Sequence, residues 1–193
     1  MKIYLASRNA HKIQEISQAL PAHITFLSLD DIPCLEELPE TGETIPENSL
    51  EKAQYVWDNY QVNCLSDDSG LEIEALGGKP GVHSAHYSGT RDFAQNIAKV
   101  LLEMPAQGSR KAVFKTVMTL IIAGKAHQFE GTVEGQILSE KQGEQGFGYD
   151  PIFLPDGYDK TFAEMSTEQK NSMSHRNRAL QQVVAFLEKL PLM

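Results

Sequence analysis

Ile3-Tyr4-Leu5-Ala6-Ser7-Arg8-Asn9-Ala10-His11-Lys12 opens the chain with an apolar run, a polar turn and a second, differently spaced pattern. Ile3 to Ala6 read as a short buried strand. Ser7, Arg8 and Asn9 turn the chain. Ile13, Ile16 and Leu20 then recur at helical spacing up to Pro21, with Asn9 as N-cap. Strand, turn and helix in this order predict a mixed α/β fold, and the rest of the chain keeps the alternation.

Ile24 to Leu29 are a second strand candidate, followed by an acidic loop from Asp30 to Gly42. Thr44 and Glu47 have capping-box spacing, and Pro46 suits a first helical turn. Leu50, Ala53, Trp57 and Tyr60 line one face of the helix that follows. Val62 to Leu65 form a strand expected to end at Ser66-Asp67-Asp68-Ser69-Gly70. Phe93, Ile97, Val100, Leu101 and Met104 mark another helix. Ala112 to Ala123 and Phe129 to Leu138 read as a hairpin turned by Gly124-Lys125. Ser166 and Gln169 frame a short helix. Leu180, Val183, Val184, Leu187 and Leu190 define the last one, with Pro191 beyond it. No repeat or linker interrupts residues 1–193, which read as a single domain or two closely joined lobes.

The 193 residues carry a net charge of −9. So acidic a chain has no general attraction for nucleic acid or an anionic membrane. An anionic substrate must be met by local cations, helix N-termini or a metal ion. Cys34 and Cys64 form no CxxC pair, which argues against a disulfide framework or a zinc site and fits a reducing compartment. The apolar opening is too short for a signal peptide and no run is long enough to cross a bilayer, so a cytoplasmic location is expected.

Five constellations have chemical potential, each with a plainer alternative. Ser7 to Lys12 at a helix start can hold phosphate oxygens, or be an Asn-capped helix with a solvated lysine. Asp67-Asp68 after an apolar strand offers carboxylates on opposite faces. One of them could hold magnesium or take a proton from water, or both could belong to a solvated Asp-Gly turn. Glu36, Glu37, Glu40, Glu43 and Glu47 read as a solvated rim that could supply one more metal ligand. In Gln145 to Asp150, glycines allow close approach and Phe147 or Tyr149 can stack on a base, although a hairpin turn explains the composition too. Lys170 and Ser174-His175-Arg176 place cations at a helix start, against the helix dipole. That suggests an anionic or polar partner, or else an exposed basic patch.

Taken in order, these segments resemble the inosine triphosphate pyrophosphatase family of non-standard purine nucleoside triphosphatases. The matching pieces are Leu5 to Lys12, Glu47-Asn48-Ser49-Leu50-Glu51-Lys52-Ala53, Asp67 to Leu71, Ala75 to Gly81, Gly146 to Pro151 and Ser174-His175-Arg176. The resemblance implies an elongated α/β fold with a mixed central sheet flanked by helices, two lobes with the active-site cleft between them, and a homodimer. It implies hydrolysis of ITP, dITP and XTP to monophosphate and pyrophosphate with Mg2+, which cleanses the nucleotide pool.

Carried over by residue, the resemblance has Ser7, Arg8, Asn9, Ala10, His11 and Lys12 cradle the triphosphate. Asp68 is the essential acid and a metal ligand, Glu40 a second metal ligand and Lys52 a phosphate-binding lysine. Ser69, Phe147, Gly148, Tyr149, Asp150, Lys170, His175 and Arg176 contact the nucleotide. Arg176 and His175 are expected to read the base from a turn free of the core. The chain departs from the family in having Ser7 where Thr is common, and His86 in Ser84-Ala85-His86-Tyr87 where many bacterial members carry Arg. A related enzyme for pyrimidine or methylated nucleotides and a non-catalytic nucleotide sensor are the rival readings. A dinucleotide-dependent oxidoreductase is disfavoured, since GxGxxG is absent.

Overall fold

The computed structural model describes residues 1–18 and 24–190, so Leu20, Pro21 and Pro191 of the sequence reading lie outside the described residues. The elements are β1 (Lys2–Ala6), α1 (Ala10–Gln18), β2 (Thr25–Leu27), α2 (Ile45–Tyr60), β3 (Cys64–Ile73), α3 (Phe93–Glu103), β4 (Lys111–Ile122), β5 (Lys125–Ile137), β6 (Phe153–Pro155), α4 (Thr167–Met173) and α5 (His175–Leu187). Six strands form one sheet in the order β2-β1-β3-β4-β5-β6. β1 runs parallel to β2 and to β3, while β5 and β6 are antiparallel. The sheet is mixed, as expected. None of the described helices is long and apolar enough to cross a membrane.

The chain gathers into two compact units. The first comprises the residues up to Asp68, Thr116–Gly131 and those from Arg176 onward; the second comprises Ser69–Lys115 and Thr132–His175. In the first unit, neighbouring strand residues enter different cores. Leu5, Leu65 and Leu120 join Ile3, Ile16, Leu180 and Val183, whereas Ala6, Cys64 and Ile121 join Leu29, Ala53 and Val56. Strands covered on both faces read as continuous apolar runs, which is why β1 was legible from its composition. The second unit is built around Leu71, Ile73, Val100, Ile137 and an aromatic group, with Phe153 packed 4.6 Å from Phe114 and 5.2 Å from Phe162 between ring centres.

Several elements differ from the sequence reading. β2 is shorter than Ile24 to Leu29, because Ser28 caps a 3₁₀ turn at Leu29–Asp31. β5 starts at Lys125, ahead of Phe129. Ala123 (φ 48°) and Gly124 (φ 79°) supply the two left-handed residues of a tight hairpin turn. A Cβ on Gly124 would sit 3.1 Å from the Trp57 ring, so that turn packs directly on α2.

The two larger corrections concern β3 and α2. β3 does not stop at Ser66-Asp67-Asp68-Ser69-Gly70 but runs through it to Ile73. Its pairing with β1 ends at Ala6↔Ser66, so Asp67 and Asp68 lie just beyond the end of that partner. On α2 the buried face is Ile45, Asn48, Ser49, Lys52, Ala53 and Val56, while Leu50 is exposed. That stripe has helical spacing but contains polar residues, so a search for apolar side chains misplaces it.

Candidate active site

In the first unit, the N-terminus of α1 is built as its sequence suggests. Ser7 Oγ accepts from Asn9 N at 3.2 Å, and Asn9 Oδ1 accepts from His11 N at 3.1 Å and Lys12 N at 3.3 Å. The Asn9 cap therefore already engages two of the helix-start donors. Arg8 donates to Cys34 O and pairs with Asp30 at 3.5 Å. Ser7 is half-buried, and Arg8 to His11 are exposed.

α1 then sends Lys12 inward. Its Nζ lies 3.1 Å from Asp67 Oδ2, and Arg176 Nε lies 3.4 Å from the same oxygen. Arg176 also pairs with Glu15, one helical turn beyond Lys12. Neither the free turn nor the exposed patch expected for Arg176 exists. It is 2% exposed and held by two carboxylates. Burial opposes the Asp67 charge, but Lys12, Arg176 and Lys52 together outweigh it and hold this carboxyl well below the usual range. Burial also lowers the Lys12 pKa, only partly offset by Asp67.

Asp68, the next residue of β3, faces a different partner, as strand alternation requires. Lys52 Nζ lies 3.2 Å from Asp68 Oδ1 and 2.6 Å from Glu40 Oε1. Burial raises the Asp68 pKa, and the attraction of Lys52 and Lys12 does not fully compensate, with Glu40 and Asp67 adding repulsion. Asp68 Oδ2 is buried and has no hydrogen-bond partner among the described residues. Lys52 itself is pushed up: burial works against its charge, but Asp68, Glu40 and Asp67 prevail. Three cations, Lys12, Lys52 and Arg176, thus face four carboxylates, Glu15, Glu40, Asp67 and Asp68. The imbalance is negative, and Asp68 Oδ2 is one of the buried oxygens that no donor among the described residues meets.

The Glu40 loop is pinned to α2 by one backbone N–H after another. Thr41 N donates to Glu51 at 2.6 Å, Gly42 N to Asn48 Oδ1 at 2.8 Å, and Glu43 N and Thr44 N to Glu47 at 3.0 Å each. Ser49 and Ser66 add a buried contact at 3.2 Å, with Thr119 at 2.8 Å from Ser49. Ser49 precedes Lys52 on one helix face, and Ser66 precedes Asp68 on one strand face. Sequence reasoning missed Glu15, Asn48, Glu51 and the Ser49–Ser66–Thr119 group. Asn48, Ser49 and Glu51 lie in the Glu47 to Ala53 stretch that carries the resemblance, and the signal for Asn48 and Ser49, like that for Glu15, was a polar residue at the helical spacing of Lys52 or Lys12.

The second unit holds the other set. The Gln145 to Asp150 segment is a loop tied down by a buried carboxylate, not a hairpin turn. Asp150 Oδ2 accepts from Phe147 N at 2.8 Å and from Lys170 Nζ at 2.7 Å. Gly146 (φ 75°) tolerates no side chain, since a Cβ would fall 2.1 Å from that oxygen. Lys170 Nζ lies 4.8 Å above the Phe147 ring. Of the two aromatics expected to stack, Tyr149 is buried in the core with its hydroxyl donating to Ser84 O at 2.9 Å, so an accessible ring face is left only on half-buried Phe147. His175 is buried and stacked on Phe114, 4.7 Å between centres and 6° from parallel. Gly148 and Ser69 are half-buried, and His86 is exposed.

A cation fits this donor set. Mg2+ prefers one or two carboxylates and fills its remaining positions with water and phosphate oxygens. The buried Asp68 Oδ2 and the Glu40 carboxylate, with a side chain 42% exposed, are donors of that kind.

The model of the Ham1 family matches residues 3–186. The dITP/XTP pyrophosphatase of Flavobacterium johnsoniae is 48% identical over 97% of this chain and 98% of its own. That of Christiangramia forsetii is 46% identical over 98% of this chain and 100% of its own. Among solved structures, the Staphylococcus aureus Ham1 protein superposes with a TM-score of 0.90 at 37% identity, covering 97% of this chain and 98% of that one. A Coxiella burnetii HAM1 protein gives 0.89 at 37% identity, with 98% and 100% covered. Sequence motifs, sheet order and full-length similarity agree: the chain belongs to the Ham1 family.

Proposed function

We propose that the chain hydrolyses non-standard purine nucleoside triphosphates (ITP, dITP and XTP) at the α-phosphorus, releasing the monophosphate and pyrophosphate. The observation that carries this reading is Asp68, a buried carboxylate with one oxygen on Lys52 and the other without a hydrogen-bond partner among the described residues. The relatives bearing the name dITP/XTP pyrophosphatase supply the substrate class.

Asp68 and Glu40 would hold Mg2+, which supplies a Lewis acid beside the phosphate oxygens. The chain's own residues do the rest. Asp68, buried just beyond the end of the β1–β3 pairing and held by Lys52 through one oxygen, would take the proton of the attacking water directly or through the metal. Lys52 spends two of its three N–H donors on Glu40 and Asp68, so one remains for a phosphate oxygen. Lys12 and Arg176 share Asp67 and bring fixed positive charge to the same unit. Ser7 and the exposed start of α1 offer further phosphate contacts.

In the second unit, Phe147 supplies a stacking face, and Lys170 and His175 supply donors for a 6-oxo group. A site of donors leaves adenine's 6-amino group unmatched and so rejects it. We further assign a homodimer and a cytoplasmic location, where the buried free thiols of Cys34 and Cys64 stay reduced.

The test is pyrophosphate release from ITP, dITP, XTP, GTP and ATP, with Mg2+ and with EDTA. Metal-dependent pyrophosphate from the first three is expected. Nucleoside diphosphate and orthophosphate as first products would sink the cleavage site, and equal rates on ATP would sink the base preference. Light scattering that gives a monomer mass at micromolar concentration would refute the dimer.

A further inference from the structure

We infer that Asn48 is a positioning residue for Glu40, acting through the backbone of the loop between them; the inference rests on the cation-holding role proposed above for Glu40 and Asp68. Asn48 is a buried polar residue, 4% exposed, on the face of α2 that also carries Lys52 one turn later. Its side-chain oxygen accepts the Gly42 N–H at 2.8 Å. The neighbouring clamps, Glu51 on Thr41 and Glu47 on Glu43 and Thr44, are exposed and compete with water. The Asn48 bond is the partly buried one, and it holds the loop where it is pressed closest to the helix. A Cβ on Gly42 would lie 2.6 Å from Glu47 Cβ and 3.0 Å from Asn48 Oδ1.

The consequence reaches Glu40 because its own side chain is 42% exposed and gains little from packing. Its carboxylate meets Lys52 Nζ at 2.6 Å because the backbone two residues later is fixed to the helix that carries Lys52. Asn48 and Lys52 share one rigid helix face, so the partly buried hydrogen bond, with the exposed clamps beside it, sets the loop's register against both Lys52 and its other partner, Asp68. Groups that orient a metal ligand from behind typically change metal affinity by about 10- to 100-fold when removed.

Four variants test this in the full chain: Asn48→Ala, Asn48→Asp (which keeps the acceptor oxygen), Gly42→Ala (which displaces the loop while leaving Asn48 in place) and Glu40→Ala. Hydrogen exchange of the 38–45 segment is measured without metal or nucleotide. The Mg2+ concentration giving half-maximal pyrophosphate release is measured at saturating ITP. Asn48→Ala and Gly42→Ala should each speed exchange in that segment and raise the Mg2+ requirement by about tenfold. Asn48→Asp should restore both, and Asn48→Ala combined with Glu40→Ala should be no worse than Glu40→Ala alone. Unchanged exchange in Asn48→Ala overturns the positioning role. So does an unchanged Mg2+ requirement in Asn48→Ala beside a raised one in Glu40→Ala, or full additivity in the double variant; in these cases Glu40 keeps its role. An unchanged Mg2+ requirement in Glu40→Ala removes the Glu40 reading, and this inference with it. A wild-type chain that releases no pyrophosphate from any triphosphate is a failure of the proposed function, and the exchange data then decide the positioning role alone.

Discussion

The first unit gathers seven charged side chains that do not cancel, whereas the second buries the ion pair Lys170–Asp150, which does. In the second unit the carboxylate is completed by a lysine and a backbone N–H, and aromatic rings cover the pair. Such a pair shapes a loop and presents a ring. In the first unit Asp67 is over-supplied with cations and Asp68 is under-supplied, although the two are adjacent in one strand. An electrostatic shortfall at a buried oxygen is a place where a further cation gains more than it would at a satisfied one. Under the proposed function, that contrast gives charge chemistry to the first unit and base recognition to the second.

The sharpest way to break that contrast is Asp68→Asn. The swap keeps size and removes both the charge and the proton-accepting power, so kcat should fall by about 10²- to 10⁴-fold. The fold should survive, because burial penalises the Asp68 charge. A melting curve beside the kinetics checks both halves. A loss of only a few-fold would make Asp68 a structural acid and return the catalytic role to an unnamed group.

Asp67→Asn should behave differently for a physical reason. Asp67 is enclosed and pairs with Lys12 and Arg176, so neutralising it leaves Lys12 without its ion-pair partner and buried Arg176 with Glu15 alone. Breaking a buried pair from one side costs about 3–5 kcal/mol, which lowers Tm by roughly 10 °C in a chain of this size. An unchanged Tm would mean that water or anions already satisfy Lys12 and Arg176.

These two acids also show where sequence reasoning stops. Alternation along a strand separates Asp67 from Asp68, and the structure gives them separate partners. Which one is over-supplied depends on Arg176 and Glu15, over a hundred residues apart in sequence, and no local spacing reveals that pairing. The helix caps at Thr44, Asn9 and Ser166 were legible because capping is local chemistry. The buried face of α2 was not, because Asn48, Ser49 and Lys52 occupy positions that a purely structural helix gives to apolar side chains. Tyr149 and Arg176 were placed too near solvent for a related reason: a polar tip says nothing about which way the rest of the side chain packs.

The pH dependence of stability gives a smaller but signed effect, measured without metal. Asp68 has a raised folded pKa, so the native state holds that proton more tightly than the unfolded chain. Its contribution falls as pH rises from the unfolded value, about 3.9, through the folded one. Asp68→Asn should therefore gain on the wild type toward neutral pH, and the gap should close on acidification. Asp67 has a lowered folded pKa. Its stabilisation is fully present above the unfolded value and is lost only as pH falls through the lower folded one. The Asp67→Asn deficit should thus persist at pH 5 and narrow only in strong acid. Parallel Tm–pH curves for the two variants would erase the distinction between the acids.

The smallest expected effect tests the second unit. Phe147 is the half-buried aromatic of a loop whose other ring, Tyr149, is committed to the core. Its ring lies under Lys170 and 6.2 Å from Phe93, which limits its orientation. Stacking of a base on an aromatic face is worth about 1–3 kcal/mol by truncation to alanine. Phe147→Leu keeps an apolar contact and loses the flat face, so the lower end applies, and KM for ITP should rise roughly fivefold. Because the proposed part of Phe147 is to bind the base and not to meet the reacting phosphate, kcat should stay within about twofold. Lys170 keeps Asp150 as its partner in the variant, so Tm should move little. The kinetic split is the informative quantity. A KM rise with kcat held constant marks binding that is equal in ground and transition states, which is what a shape-recognising loop provides. A fall in kcat with KM unchanged would instead mean that the loop organises the reacting phosphates, and the division of labour between the two units would have to be redrawn.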